Sequence, residues 1–176
     1  MEYYKKIDID YYNIIVSKIK LYLESKGLID TTHAGFIPLQ PVEVIKNCSE
    51  LQFSLNAIGL TIKSIGIYRT THNNQAPIHI DHTTYKSRLN IPIMNCQYSS
   101  TVFYQAEIEQ VKQQENFDLK YIQCINAVEV DRVTVDQPTI LRIDHPHQVI
   151  MDEGKFPRIC LTVGCYPDPV ILFTKE

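Results

Sequence analysis

Residues 139–165 read TILRIDHPHQVIMDEGKFPRICLTVGC, and the fold class turns on them. Three runs rich in Ile, Leu, Val and Thr stand out: Thr139–Asp144, Gln148–Met151 and Arg158–Cys165. Asp-His-Pro and Glu-Gly-Lys-Phe-Pro break the pattern between them, which is strand and turn chemistry rather than helical spacing. The connections are a few residues long, too short for the helix-length crossover that joins parallel strands, so antiparallel pairing follows.

Working outward toward the N-terminus, the same composition marks strands at Leu60–Arg69, Ile78–His82, Arg88–Met94, Ser100–Gln105 and Val128–Val135. Eight short strands without long crossovers predict a mainly β protein, a jelly roll or related sandwich. Residues 107–120, EIEQVKQQENFDLK, are polar and read as a surface helix or long loop. Before residue 60 the period changes. Tyr11, Ile15, Ile19, Tyr22 and Leu23 recur at helical spacing, with Asp8 or Asp10 as candidate caps and Gly27 just past the end. A second helical stretch opens near Pro41, where Ser49 and Gln52 have the spacing of a capping box ahead of Leu51, Leu55 and Ile58, and Gly59 stops it. The expected layout is one domain over 1–176: N-terminal helices in 1–59, a β core in 60–165 and a tail in 166–176.

Composition limits the function classes. Hydrophobic residues are 44% and charged residues 21% of the 176, the balance of a folded globular chain rather than a disordered one. A net charge of -3 provides no basic field for a polyanion, so nucleic acid is not the expected partner. The five cysteines contain no C-x-x-C pair, and their odd number suits reduced thiols in a cytoplasmic setting. No apolar stretch has the length of a signal peptide or a membrane span, so no membrane association is expected.

Chemistry concentrates in APIHIDH at 76–82. On a strand, side chains two apart share a face, so His79 and Asp81 would converge on one point. With six His and ten Asp in the chain, roughly a third of one H-x-D is expected by chance, so the motif needs a distant third ligand to acquire meaning. His145 and His147 are the candidates. Two imidazoles and one carboxylate on one face of an iron leave open positions for a chelating co-substrate and dioxygen. Closed zinc sites use four ligands and usually cysteines, which lack the spacing here. His33, His72 and His82 read as ordinary hydrogen-bonded histidines.

From about residue 60 to 165 the chain resembles the Fe(II)/2-oxoglutarate-dependent dioxygenases, whose core is a double-stranded β-helix, the cupin-like jelly roll. Members show H-x-D, later a His commonly followed by x-Val, and an Arg or Lys about ten residues beyond. Here those are His79 and Asp81, His147-Gln148-Val149, and Arg158 in PRICLTV. RLNIPI at 88–93 resembles the strand after H-x-D in phage-type members, and is similar to the R-x-H-x-x-L pattern of aspartyl/asparaginyl β-hydroxylases except that Asn90 replaces its His.

The resemblance implies Fe(II) held by His79, Asp81 and His147, and 2-oxoglutarate whose far carboxylate pairs with Arg158. Tyr68 and Asn90 are further candidate contacts for 2-oxoglutarate. Cys160 stands where some relatives carry a Ser that touches the same carboxylate. Asp81 occupies the position that is small in halogenating relatives, so hydroxylation is implied, with release of succinate and CO2. His147 is favoured over His145 because it carries the x-Val, while Pro146 holds His145 extended at the strand entrance. The substrate would be a small molecule or a peptide or protein side chain, met by the loops at 70–77 and 83–87 and the insertion at 106–122. Two other classes compete: a cupin-like metal enzyme that does not use 2-oxoglutarate, and a non-enzymatic jelly-roll binding module.

Overall fold

The β-branched runs read from the sequence pair into two antiparallel sheets. In the computed structural model, which describes residues 1–71, 76–81, 84–113 and 120–173, the order begins β1 (Tyr4–Lys6), α1 (Tyr12–Ser25), β2 (Gly35–Leu39), α2 (Pro41–Asn47) and α3 (Ser49–Ala57). The strands β3 (Thr61–Thr70), β4 (His79–Asp81), β5 (Ser87–Met94), β6 (Ser99–Gln113), β7 (Lys120–Val133), β8 (Thr139–Arg142), β9 (His147–Met151) and β10 (Arg158–Tyr166) follow. One sheet has six strands in the order β1-β8-β5-β10-β3-β2; the other runs β4-β7-β6-β9 and closes through the pairing of β4 with β9. The protein is therefore mainly β, with three helices on one side.

Alternation along the strands decides what each face of the large sheet does. Ile65, Ile67, Leu89, Ile91, Ile140, Leu161 and Val163 point one way and join Ile15, Ile19, Leu23, Val44, Leu51 and Leu55 of the helices in the main core. The opposite face carries Tyr68, Thr70, Asn90, Arg158, Cys160 and Thr162, aligned by the register Thr70↔Arg158, Tyr68↔Cys160 and Asn90↔Thr162. A smaller apolar cluster of Phe103, Val133, Leu141, Cys96 and Cys160 joins this face to the second sheet. Burying each large aliphatic side chain is worth about 1.5–3 kcal/mol, so the helix side supplies most of the stabilisation.

α1 forms because Ile15, Ile19, Tyr22 and Leu23 make one buried stripe. It ends where Gly27 adopts φ +66° and the Leu28 N–H reaches back to the Leu23 carbonyl at 2.9 Å. Gly59, at φ +81°, ends α3 the same way. The expected caps do not form. Tyr11 takes the position before α1 in a left-handed conformation, and no side chain caps the helix. That moves Asp10 one residue back, where its carbonyl accepts from the Ser54 hydroxyl at 2.6 Å. The capping box also fails: only Cys48 separates α2 from α3, so Ser49 lies inside α3, and Gln52 donates to Asn56 instead.

Two further expectations need correction. The N-terminal part is not purely helical, because β1 and β2 are the two edge strands of the large sheet. Three residues of YKK are too short and polar to signal a strand, and Pro38 in β2 is tolerated only because an edge strand need not donate on both sides. Within 107–120 the described residues are neither helix nor loop: β6 continues to Gln113 and β7 begins at Lys120. Cross-strand pairing of Val111 with Ile122 and of Lys112 with Tyr121 satisfies the backbone there without a buried face, so alternating hydrophobicity never had to appear. The remainder of that insertion and the histidines His72 and His82 lie outside the described residues. The 166–176 segment contributes Leu172 and Phe173 to the main core, and Asp168 accepts from the Ser87 hydroxyl at the start of β5.

Candidate metal and anion site

H-x-D lies on β4, whose single cross-strand pair with β9 is His79↔His147. That register brings the two imidazoles within 4.5 Å, centroid to centroid, and both are 8% exposed. His79 and Asp81 share a face of β4, as side chains two apart must. The Asp81 Oδ1 lies 3.4 Å from His79 Nε2 and 3.9 Å from His147 Nε2. One ligand atom from each of His79, Asp81 and His147 falls within 4.8 Å of the others.

The other ring nitrogens are tied down. His79 Nδ1 lies 2.7 Å from the Pro77 carbonyl, and His147 Nδ1 2.9 Å from the His145 carbonyl. A carbonyl only accepts, so each Nδ1 carries a proton, and each Nε2 is the ring atom turned toward Asp81. Electrostatics agree with a site that wants positive charge. Burial, reinforced by the charge of His79, drives His147 down to about 4, which keeps it neutral. Burial is also the largest influence on His79 and opposes its charge, but the hydrogen bond to Asp81, the Asp81 charge and the Pro77 carbonyl together outweigh it, and the net shift is upward. Burial would raise Asp81, yet His79, His147 and Arg88 together hold it ionised, below its ordinary value.

His145 sits outside this cluster. Its Nδ1 pairs with Asp144 at 2.9 Å and its ring meets Tyr3 edge-on at 5.4 Å. Only its carbonyl touches the site. Asp144, expected in a turn, is bound by Arg142 through two contacts of 2.8 Å.

Arg158 begins β10 on the face that looks toward the second sheet and is 2% exposed. Its Nε donates to the Ser99 hydroxyl at 2.8 Å, and Ser99 in turn donates to the Cys96 carbonyl at 2.8 Å. Among the described residues no carboxylate lies within ion-pairing distance of Arg158. A buried guanidinium without a counter-anion is costly, and polar groups around it are short of partners as well. Thr70, directly across the strand pair from Arg158, and Thr101, two residues beyond Ser99 on the same face of β6, both have hydroxyls buried without a hydrogen-bond partner. Arg158 thus lacks an anionic partner, and the Thr70 and Thr101 hydroxyls are left to be satisfied by something else.

Tyr68 lies on the Arg158 face of the large sheet, across the strand pair from Cys160. Burial, then the charge of Asp81, pushes its phenol upward while Arg158 pulls it down, so the hydroxyl stays a donor. Asn90 is held through its Nδ2 on the Arg88 carbonyl at 3.2 Å, with the Cys160 sulfur 3.8 Å from its Oδ1. The Cys96 sulfur and burial keep the Cys160 thiol protonated. All five cysteines are free and buried.

Sequence reasoning did not single out Ser99, Thr70, Thr101 or Phe103, which packs at 6.3 Å from His147. No local motif marks them. They reach the site through strand register, and only a correct pairing of β3 with β10 and of β6 with β9 would have found them.

No helix among the described residues is long and apolar enough to cross a membrane. No protein-family model and no curated relative matches the sequence. Among solved structures the chain is similar to the viral collagen prolyl hydroxylase vCPH from Paramecium Bursaria Chlorella virus-1. A truncated form gives a TM-score of 0.37 at 12% identity over 92% of this chain and 88% of that one. Its 2OG complex gives 0.35 at 12% identity over 92% and 94%. At that depth neither similarity assigns the chain to a family.

Proposed function

We propose that the protein is a single-domain Fe(II)/2-oxoglutarate-dependent dioxygenase of double-stranded β-helix architecture that hydroxylates a small molecule or a peptide or protein side chain. One observation supports this above the rest. A cluster of two imidazoles and a carboxylate shares the space between two sheets with a buried guanidinium that has no carboxylate partner. A metal-only enzyme needs the first feature and has no use for the second.

The donors suit the groups. Two neutral Nε2 atoms and one carboxylate oxygen form the set that non-haem iron accepts while keeping positions open. Arg158 would hold the distal carboxylate of 2-oxoglutarate with its planar fork, and Thr70 and Thr101 would donate to the same oxygens. Tyr68 and Asn90 would line the intervening wall. When bound, iron and 2-oxoglutarate supply oxidation of a substrate C–H bond by dioxygen, coupled to release of succinate and CO2. The chain's own residues bind, orient and exclude water: the backbone carbonyls of Pro77 and His145 hold the imidazole tautomers, and Phe103 covers the His147 side.

Calorimetry with Mn(II) as a redox-silent substitute should give about one metal per chain, lost in His79→Ala. Arg158→Gln should weaken 2-oxoglutarate about ten- to a hundredfold while leaving Mn(II) binding intact. A metal that binds in the His79→Ala variant as in the wild type would reject the site. Full 2-oxoglutarate affinity in Arg158→Gln would instead favour a metal enzyme that does not use this co-substrate.

A further inference from the structure

The polar face of the large sheet carries a second guanidinium. Arg88 lies on β5 on the same face as Asn90, and the neighbouring pair Leu89↔Val163 puts it level with Gly164 of β10. Arg158 is six residues away along β10, roughly 20 Å at about 3.3 Å per residue. The triad strand packs beside the Arg88 end: the Asp81 N–H donates to the Ile143 carbonyl at 3.1 Å, and the Ile143 N–H donates to the carbonyl of Lys86, two residues before Arg88, at 3.0 Å. Arg88 and Arg158 thus stand toward opposite ends of the sheet face that looks at the second sheet, the sheet that carries the triad.

Arg88 is built into place. Its guanidinium carbon lies 5.7 Å from the Phe36 ring centre and 5.2 Å from that of Tyr85, and Nη1 lies 3.4 Å from the Ser64 hydroxyl. The floor beneath is cut away to make room. A methyl group at Gly66 would meet the Phe36 ring at 2.5 Å, and one at Gly164 would collide with the Ser64 hydroxyl and crowd the Tyr85 ring. Two rings hold the cation by their faces and leave its edge for hydrogen bonding. Among the described residues, no carboxylate lies within ion-pairing distance of it, in a chain with net charge -3. A five-carbon diacid seated between the triad and Arg158 is far too short to reach Arg88 as well.

We propose that Arg88 binds a carboxylate of the molecule to be oxidised, so that the substrate is a carboxylic acid anchored at the end of the polar face opposite the co-substrate. The role of that acid as substrate rests on the oxygenase reading above; the anion subsite does not. The fork would take the carboxylate edge-on, and the Phe36 and Tyr85 rings would flank an apolar stem leading toward the triad.

The test pairs simple acids with their neutral amides: butyrate, valerate and hexanoate against butyramide, valeramide and hexanamide. Binding is read by saturation-transfer NMR on wild type, on Arg158→Gln, and on Arg158→Gln combined with Arg88→Gln or with Arg88→Lys. Removing Arg158 clears the other cationic end, so no co-substrate need be present. The acids should bind about ten- to a hundredfold more tightly than the amides in wild type and in Arg158→Gln. In the Arg158→Gln background that preference should vanish on adding Arg88→Gln and persist in part on adding Arg88→Lys, which keeps the charge and shows that loss is not misfolding. Equal binding of acid and amide in wild type overturns the proposal. So does a preference that survives the double substitution Arg88→Gln with Arg158→Gln, or disappears in Arg158→Gln alone. Titration of Mn(II) and 2-oxoglutarate on the same wild-type sample separates the two ideas: if neither binds while acid preference still follows Arg88, the oxygenase reading falls and the anion subsite stands.

Discussion

On the helix side of the six-stranded sheet, Ile65, Ile67, Leu89, Ile91, Leu161 and Val163 are buried hydrocarbons packed on other hydrocarbons. On the other side, the same three strands bury Arg158, Thr70, Asn90 and Thr162, and two of the buried hydroxyls around that face have no partner. Burial stabilises the first set and works against the second, since each unpaired buried polar group costs about 1–3 kcal/mol. One backbone therefore carries both a stabilising face and a binding face, separated by the two-residue period of a strand. The lesson is where to look: Arg69 Nε and Glu50 Oε2 are the unpaired buried atoms on the helix side, whereas the two unpaired hydroxyls lie together beside a buried guanidinium, on the side that points at the His-Asp-His cluster.

Breaking this division should begin with the helix side. Leu161→Ala should destabilise the protein by about 2–5 kcal/mol in urea denaturation. The molecules that remain folded should bind Mn(II) and 2-oxoglutarate within about twofold of wild type, because distant sites add independently. Affinities that collapse along with stability would show that the two faces are not separable.

The next effect in size concerns the second sheet. His147→Ala should lower Mn(II) affinity by at least about a hundredfold, since loss of a ligand exceeds the cost of losing a residue that merely orients one. His145→Ala should leave it nearly unchanged, because the carbonyl that holds His147 survives the substitution. The opposite ranking in calorimetry would move the ligand to His145.

The polar face can be sharpened with a pair of opposite signs. Thr70→Val and Thr101→Val each remove an unpaired buried hydroxyl, so the ligand-free protein should gain about 1 kcal/mol in denaturation. The same variants should bind 2-oxoglutarate about two- to tenfold more weakly. Valines that stabilise without any loss of affinity would take these hydroxyls out of the cradle.

The smallest effect is expected where neither face is involved. Val128 on β7 is 66% exposed and pairs with Gln105 across the hairpin. Val128→Thr should shift stability by no more than about 0.5 kcal/mol. A larger loss on thermal melting would mean that the outer surface of the hairpin is buried in an assembly.

The contrast between legible and illegible features follows the same logic. Arg158–Cys165 announced a strand because Ile159, Leu161 and Val163 alternate with polar residues against a buried face. The β6 and β7 extension announced nothing, since its backbone is satisfied by its own partner and neither side needs to be apolar. The Asp8, Asp10 and Ser49 cap signals misled for a related reason. A cap depends on where the chain turns, and Tyr11 and Cys48 turn it one residue away from the expected position. Thr70 and Thr101 carried no signal, as a threonine in a strand is unremarkable until its neighbour across the sheet is known.

By itself the sequence determined the strand-rich class, the helical stripe of α1 and the placement of His79 and Asp81 on one face, because each depends on periodicity within a few residues. Tertiary structure alone decided which late histidine meets them, and that Arg158 faces two unpaired threonines while Arg88 stands at the far end of the same face. Those relations depend on register between strands tens of residues apart, which no local pattern encodes and which a slip of one residue would reverse.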